Sequence, residues 1–193
     1  MAEDTAVAPS PAPLGMWVFL ASEVMMFGGL FMALAVMRWR DAAAWKDGSR
    51  HLHLWLGTAN TAILLVSSAV VALAVTAVRR GRRKEAAWEL GIAAVLGLAF
   101  LIVKATEWGL EAREGLMLPQ QPSLRLFFDF YYVATGLHAL HLTVGVVLVA
   151  ALGFLIRRNP GHAGAVELGG LYWHFVDVVW IFLYPILYLA ASR

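Results

Sequence analysis

Five long apolar segments constrain the fold of this chain more than any other feature of its sequence. They lie at about residues 15–37, 54–78, 86–110, 126–156 and 166–191. Each reaches the length of roughly 20 residues that a helix needs to cross a bilayer. Because backbone at membrane depth must satisfy its own hydrogen bonds, apolar runs of this length form helices there. The sequence therefore predicts an all-α integral membrane protein, a bundle of five transmembrane helices.

The segments between these helices are short and contain Gly and Pro, as loops do, so none of them can hold a soluble domain. We expect residues 1–13 to form a flexible N-terminal lead and residues 14–193 to form one transmembrane domain. The connection at residues 38–53 is expected to be a loop. Five crossings place the two termini on opposite sides of the membrane.

The absence of cysteine and the scattered positions of the basic residues exclude several classes of function. The chain has no cysteine, which excludes disulfides, iron–sulfur clusters, thiolate metal sites and a catalytic thiol. Its 15 basic residues form short clusters between apolar runs rather than one basic face, so nucleic acid is not an expected partner. No nucleophilic triad or phosphate-binding glycine loop is present, and no catalytic residue and no metal site are predicted.

The basic residues give only a weak indication of orientation. Lys and Arg favour the cytoplasmic side of a membrane. The second and fourth connections carry seven of them, and the other side carries seven as well. The densest cluster lies at residues 79–84, and it favours a cytoplasmic N-terminus.

Ionisable residues inside membrane-spanning segments are costly, which makes them candidates for function. Glu23 lies in the first span, where it could be a structural carboxyl or part of a proton relay. Lys104 and Glu107 are three residues apart in the third span, so they share a helix face and can form an ion pair, with Glu111 one turn further on. Because the pair lies towards the end of its helix, a structural ion pair or snorkelling explains it most simply.

Histidines in the last two spans permit two interpretations. His138 and His141 share a face of the fourth span, and His174 can hydrogen-bond to Asp177 one turn along the fifth. They could ligate haem or a metal, or they could be hydrogen-bonded residues of the core. The aromatic residues near the span ends are typical of a membrane-interface belt: Trp17, Trp39, Trp45, Trp55, Trp108, Tyr131 and Tyr132.

Runs in all five spans together resemble subunit III of the haem-copper oxidases, especially the cytochrome c oxidases, in the five-helix form found in bacteria. The runs are FLASEVMMF, NTAILLVSSAV, KATEWGLE, YVATGLHALHLTVG and LYWHFVDVVWIFLY, in chain order. The likeness covers roughly residues 14–192, and the last two runs are the most specific.

The resemblance implies an accessory subunit without haem or copper. Haem a, haem a3 and copper are expected in the partner subunits I and II, and phospholipid is expected to bind this chain. Glu23 matches the family's buried, carbodiimide-reactive carboxyl, which is linked to protons or lipid. The remaining polar residues are expected to satisfy one another or lipid head groups: His138, His141, His174, Asp177, Glu107 and Lys104.

The expected function is that of subunit III of an aa3-type cytochrome c oxidase, which stabilises subunit I and supports proton uptake. A respiratory supercomplex is a further candidate partner. Family topology implies a bacterial inner membrane, a cytoplasmic N-terminus and a periplasmic C-terminus. Alternatives are subunit III of a quinol oxidase, an accessory subunit of a nitric oxide reductase and, from another class, a small proton-linked transporter.

Overall fold

The computed structural model describes residues 11–192, and these form six α-helices without a β-strand. The helices are α1 (Pro11–Arg40), α2 (Ala42–His51), α3 (Leu54–Arg79), α4 (Arg83–Arg113), α5 (Pro122–Arg158) and α6 (Ala163–Leu187). Two short 3₁₀ helices, Pro160–His162 and Leu189–Ser192, flank α6. Of the lead predicted for residues 1–13, residues 1–10 lie outside the described part, and residues 11–13 belong to the first turn of α1.

All helices except α2 are long and apolar enough to span a membrane, as the sequence predicts. The predicted segments agree with them to within four residues at each end. The one segment predicted to continue beyond its helix is the last, because α6 ends at Leu187 rather than at residue 191. Pro185 removes one backbone donor from the last turns of this helix, and the chain then tightens into a 3₁₀ turn.

The prediction of a loop at residues 38–53 is wrong for most of its length, because this connection contains α2. The side chain of Asp41 caps the helix by accepting a hydrogen bond from Ala44 N at 3.0 Å. Trp45, Gly48 and Ser49 form its buried face. A ten-residue amphipathic helix is too short to cross a bilayer, so α2 lies at one end of the bundle.

Helices α3, α4, α5 and α6 enclose the core, whereas α1 lies at its edge. In the most apolar part of α1 only 17% of the residues are buried, against 33% to 50% in the other four spanning helices. Ring contacts attach α1 to α6, including Phe27 with Phe175 and Phe31 with Phe182, with centroids 6.0 Å apart in both pairs. The long apolar face of α1 that remains points away from the bundle.

Candidate functional site

Glu23 of α1 and His141 of α5 meet inside the membrane-spanning region. Glu23 Oε2 lies 3.0 Å from His141 Nε2, and each side chain is 14% exposed. The other ring nitrogen, Nδ1, lies 2.8 Å from the Leu137 carbonyl, which can only accept, so Nδ1 carries a proton. One further proton then lies between Nε2 and Oε2, and the Glu23–His141 pair is neutral overall. This pair can hold or transfer a single proton.

Aromatic side chains surround the Glu23–His141 pair. The Phe27 ring lies edge-on to the His141 ring at 5.2 Å, and the Tyr172 hydroxyl of α6 donates to the His141 carbonyl at 3.0 Å. The pair therefore lies where α1, α5 and α6 meet. It provides α1, which also packs against α6 through aromatic rings, with a polar connection to α5.

A second polar group, the Lys104 cluster, consists of Lys104, Glu107, Glu111, Tyr131 and Tyr188. Lys104 Nζ donates to Glu107 Oε2 at 3.0 Å, to the Tyr131 hydroxyl at 2.8 Å and to the Tyr188 hydroxyl at 2.6 Å. Tyr131 donates to Glu111 Oε1 at 2.8 Å, and Tyr188 donates to Glu107 Oε1 at 2.7 Å. The cluster thus joins α4, α5 and the residue that follows α6.

The predicted ion pair of Lys104 and Glu107 is present, and of its two predicted explanations the structure has the structural ion pair and not snorkelling. The two side chains are 2% and 0% exposed, so the Lys104 ammonium does not snorkel to the membrane surface. Tyr131, predicted to lie in an interfacial belt, is fully buried in the cluster. Tyr188 was not singled out in the sequence, and no local signal marks it, because its partners are 81 and 84 residues away. Burial raises the pKa of the Tyr188 phenol well above its usual value, so it remains a hydrogen-bond donor.

The structure places His138 and His141 in different surroundings. His138 is fully buried, with its ring 5.5 Å from that of Phe100 and 5.0 Å from that of Trp180, and neither ring nitrogen has a hydrogen-bond partner. His141 faces α1 instead. Within residues 11–192 no group of three or more His, Asp or Glu side chains is arranged to hold a metal ion.

The predicted hydrogen bond between His174 and Asp177 is not formed, because His174 has a partner on the neighbouring helix. His174 Nδ1 lies 2.7 Å from the Ser68 hydroxyl of α3, and Asp177 Oδ1 is buried without a partner. His174 also lines a groove of about 670 Å³ between α1, α3 and α6. Trp17 and Leu171 contribute to its apolar walls, and an ion pair of Arg79 and Glu167 at 2.8 Å lies at its rim.

Comparisons with known proteins identify the same family as the five sequence runs that resemble subunit III. The family model for cytochrome c oxidase subunit III matches residues 3–192. The chain is 38% identical to cytochrome c oxidase subunit 3 of Thermostichus vulcanus, over 91% of this chain and 86% of the relative. It is 36% identical to cytochrome c oxidase subunit 3 of a Synechocystis strain, over 94% of this chain and 76% of the relative. A Staphylococcus aureus protein named "Probable quinol oxidase subunit 3" is 29% identical, over 91% of this chain and 87% of the relative.

Proposed function

The chain belongs to the cytochrome c oxidase subunit III family, and from this premise we propose that it is the accessory subunit III of an aa3-type cytochrome c oxidase. Such an enzyme transfers electrons to O2 in aerobic respiration and couples the transfer to proton pumping. In this proposal haem a, haem a3 and copper belong to the partner subunits I and II. The present chain stabilises subunit I, binds phospholipid and supports proton uptake, without a redox centre of its own.

The observation that carries this proposal is the Glu23–His141 pair. Its two residues come from two of the runs that resemble the family, they are 118 positions apart, and they meet at 3.0 Å. A neutral pair that holds one proton between helices in an apolar setting is suited to proton storage or to helix attachment. In this proposal the proton-related chemistry of the chain belongs to the junction of α1, α5 and α6.

Phospholipid binding is supported by the groove between α1, α3 and α6. Its apolar walls suit acyl chains, and the charged groups of Arg79 and Glu167 at its rim suit a zwitterionic head group. We place the groove on the cytoplasmic side of a bacterial inner membrane, with a cytoplasmic N-terminus and a periplasmic C-terminus. The dense basic cluster at residues 79–84 favours this orientation.

Cytochrome c is the proposed electron donor of the complex, because the relatives named as cytochrome c oxidases are 36% and 38% identical to this chain. The quinol oxidase subunit is the second candidate, because the Staphylococcus aureus relative matches nearly the same length at 29% identity. Turnover of the purified complex with reduced cytochrome c or with quinol distinguishes the two candidates.

The test of the accessory role is purification of the tagged chain in mild detergent, with mass spectrometry of its partners and a reduced-minus-oxidised spectrum. We expect subunits I and II to co-purify with a-type haem. When this chain is then separated off, the haem is expected to remain with subunits I and II. Co-purified subunits of other respiratory complexes would identify a supercomplex. A colourless preparation without oxidase subunits would contradict the proposal and favour a small proton-linked transporter.

A further inference from the structure

The buried Lys104 cluster contains more acidic side chains than basic ones. One cation, Lys104, faces two carboxyl groups, Glu107 and Glu111, and all three side chains are 2% exposed or less. If both carboxyls were ionised, the cluster would carry one uncompensated negative charge. An uncompensated charge in an apolar interior is strongly unfavourable, and a buried acid responds by binding a proton.

The hydrogen bonds show which groups in the cluster are charged. The three N–H groups of the Lys104 ammonium have three acceptors: Glu107, Tyr131 and Tyr188. Glu107 accepts on both oxygens, from Lys104 and from Tyr188, as an ionised carboxylate does. Lys104 and Glu107 therefore form the permanent ion pair of the cluster.

Glu111 has a weaker set of partners. Its Oε1 accepts one hydrogen bond from the Tyr131 hydroxyl at 2.8 Å. Its Oε2 is buried without a well-formed hydrogen bond, and it faces the Tyr132 hydroxyl, which is likewise buried without one. The charges that act on it are those of Lys104 and Glu107, which already neutralise each other. Protonation therefore stabilises Glu111 more than it stabilises Glu107.

We propose that the Lys104 cluster is a proton-binding site in which Glu111 reversibly holds one proton, while Glu107 remains the counter-ion of Lys104. This site is separate from the Glu23–His141 pair and goes beyond the function proposed above. Tyr131 and His141 are ten residues apart on α5, which is about 15 Å along the helix axis. The proton at Glu111 therefore belongs to a different part of the membrane from the proton at Glu23.

Exposed side chains lie at the end of the bundle nearest to Glu111. Glu114 lies three residues after Glu111, one turn on, and its carboxylate is 3.7 Å from His53 Nε2. Glu114 and His53 side chains are 49% and 33% exposed. Both lie at the end of the bundle opposite the 79–84 cluster. Glu111 therefore lies nearer to that end of the bundle than to the 79–84 cluster.

Other groups that face the cluster do not supply a balancing charge in its hydrogen bonds. From α5, Tyr132 and the buried His138 are the nearest titratable groups besides Tyr131. From α2, Trp45 and Ser49 face this end of the bundle and bond to the carbonyls of Ile186 and Tyr188. A proton on Glu111 is therefore the simplest way in which the net charge of the Lys104 cluster becomes zero.

The test is infrared spectroscopy of the purified complex, in which a protonated carboxylic acid has its own carbonyl stretch. The Glu111→Gln variant is compared with wild type and with Glu114→Gln, a matched change at the exposed carboxyl that directly follows the same helix. We expect Glu111→Gln to lose one protonated-acid band at neutral pH, and Glu114→Gln to retain it. In the wild type this band is expected to decline as pH rises. A band that persists in Glu111→Gln, or one that does not change with pH, would overturn the proposal.

Thermal unfolding provides a second measurement that also works if the bands overlap. Gln has the shape and the neutrality of a protonated Glu, so Glu111→Gln is expected to shift the melting temperature by less than about 2 °C. Glu107→Gln removes the counter-ion of a buried cation, and it is expected to lower the melting temperature by at least about 5 °C. Equal destabilisation by the two variants would show that Glu111 is ionised, and would refute the proposal. If Glu107→Gln fails to fold, Glu111→Gln against Glu114→Gln still decides the matter.

Discussion

Glu23 is the residue at which the accessory role can be tested most directly. It lies on α1, at the edge of the bundle, and it shares a proton with His141 of this same chain. We expect Glu23→Ala to leave the haem spectrum of the complex intact and to lower its initial turnover by less than about threefold, which corresponds to under about 1 kcal/mol in the activation barrier. Glu114→Ala, at an exposed carboxylate, is the control. Loss of haem from the Glu23→Ala complex would contradict the accessory role.

A separate prediction concerns how strongly the Glu23 and His141 side chains stabilise each other. Removing one partner leaves a buried polar atom unsatisfied, whereas removing both leaves none. We therefore expect Glu23→Leu and His141→Leu together to destabilise the chain less than the sum of the two single variants, with a coupling of about 0.5–3 kcal/mol. Denaturant unfolding of the four proteins measures it. Ser22→Ala combined with Thr143→Ala is the control, because each hydroxyl bonds to its own helix and the pair is expected to be additive.

The sequence predicts contacts within a helix better than contacts between helices. The Lys104–Glu107 ion pair follows from their spacing of three residues, which fixes their common face whatever surrounds the helix. By contrast, the partners of Glu23 and Lys104 on other helices depend on which helix faces are adjacent in the bundle. The spacing of His174 and Asp177 allowed a hydrogen bond that Ser68 of α3 replaces. Local periodicity carries no information on that competition.

At the scale of elements, side-chain hydrogen bonds join α2 to the last turn of α6 and to Tyr188, the residue that follows it. Trp45 Nε1 donates to the Ile186 carbonyl at 3.1 Å, and the Ser49 hydroxyl donates to the Tyr188 carbonyl at 3.1 Å. Combining Trp45→Phe with Ser49→Ala leaves both carbonyls without these donors, at about 1–3 kcal/mol for each buried group. We expect α2 to detach more often and trypsin to cleave after the exposed Arg50 several times faster. Thr143→Ala is the control, and an unchanged cleavage rate would contradict this role of α2.

A second prediction about the helices follows from the close packing of α4 against α5 and α6. A Cβ atom at Gly97 would lie 2.6 Å from a methyl group of Val146 and 2.7 Å from the Trp173 ring, whereas at Gly91 it would meet nothing within 4 Å. Overpacking of this kind typically costs about 1–3 kcal/mol. We expect Gly97→Ala to lower the melting temperature and Gly91→Ala, on the same helix, to leave it unchanged or slightly higher. Equal effects of the two variants would mean that this interface adjusts freely.

There is a physical reason why the sequence predicts the five longer helices but not α2. A bilayer forces any apolar run of about 20 residues to become a helix, so the spanning helices can be predicted one at a time. The ten residues of α2 have only three that are buried, and two of these are Gly48 and Ser49, which carry no apolar pattern. Their burial exists only because Phe127 and Tyr188 lie against them in the folded bundle.

For the whole molecule, the number of crossings was predictable, but the arrangement of the helices was not. The bilayer requires each span to be helical without specifying its neighbours, so the position of α1 at the edge of the bundle could not be read from its apolar sequence. Orientation is likewise weakly determined, because seven basic residues lie on each side. It is open to a direct test, because the chain has no cysteine and a single introduced thiol has no background.

Lys84, in the first turn of α4, and Gln120, in the connection between α4 and α5, are exposed residues at opposite ends of the bundle. Lys84→Cys and Gln120→Cys therefore report on the two sides of the membrane. With a cytoplasmic N-terminus, a membrane-impermeant maleimide is expected to label residue 120 in cells whose outer barrier is permeable to it. Residue 84 is expected to react only after the inner membrane is opened, which is also the control that its thiol is accessible. Labelling of residue 84 alone would reverse the orientation. Labelling of both residues in intact cells would contradict the crossing of α4 itself, because a single span separates them.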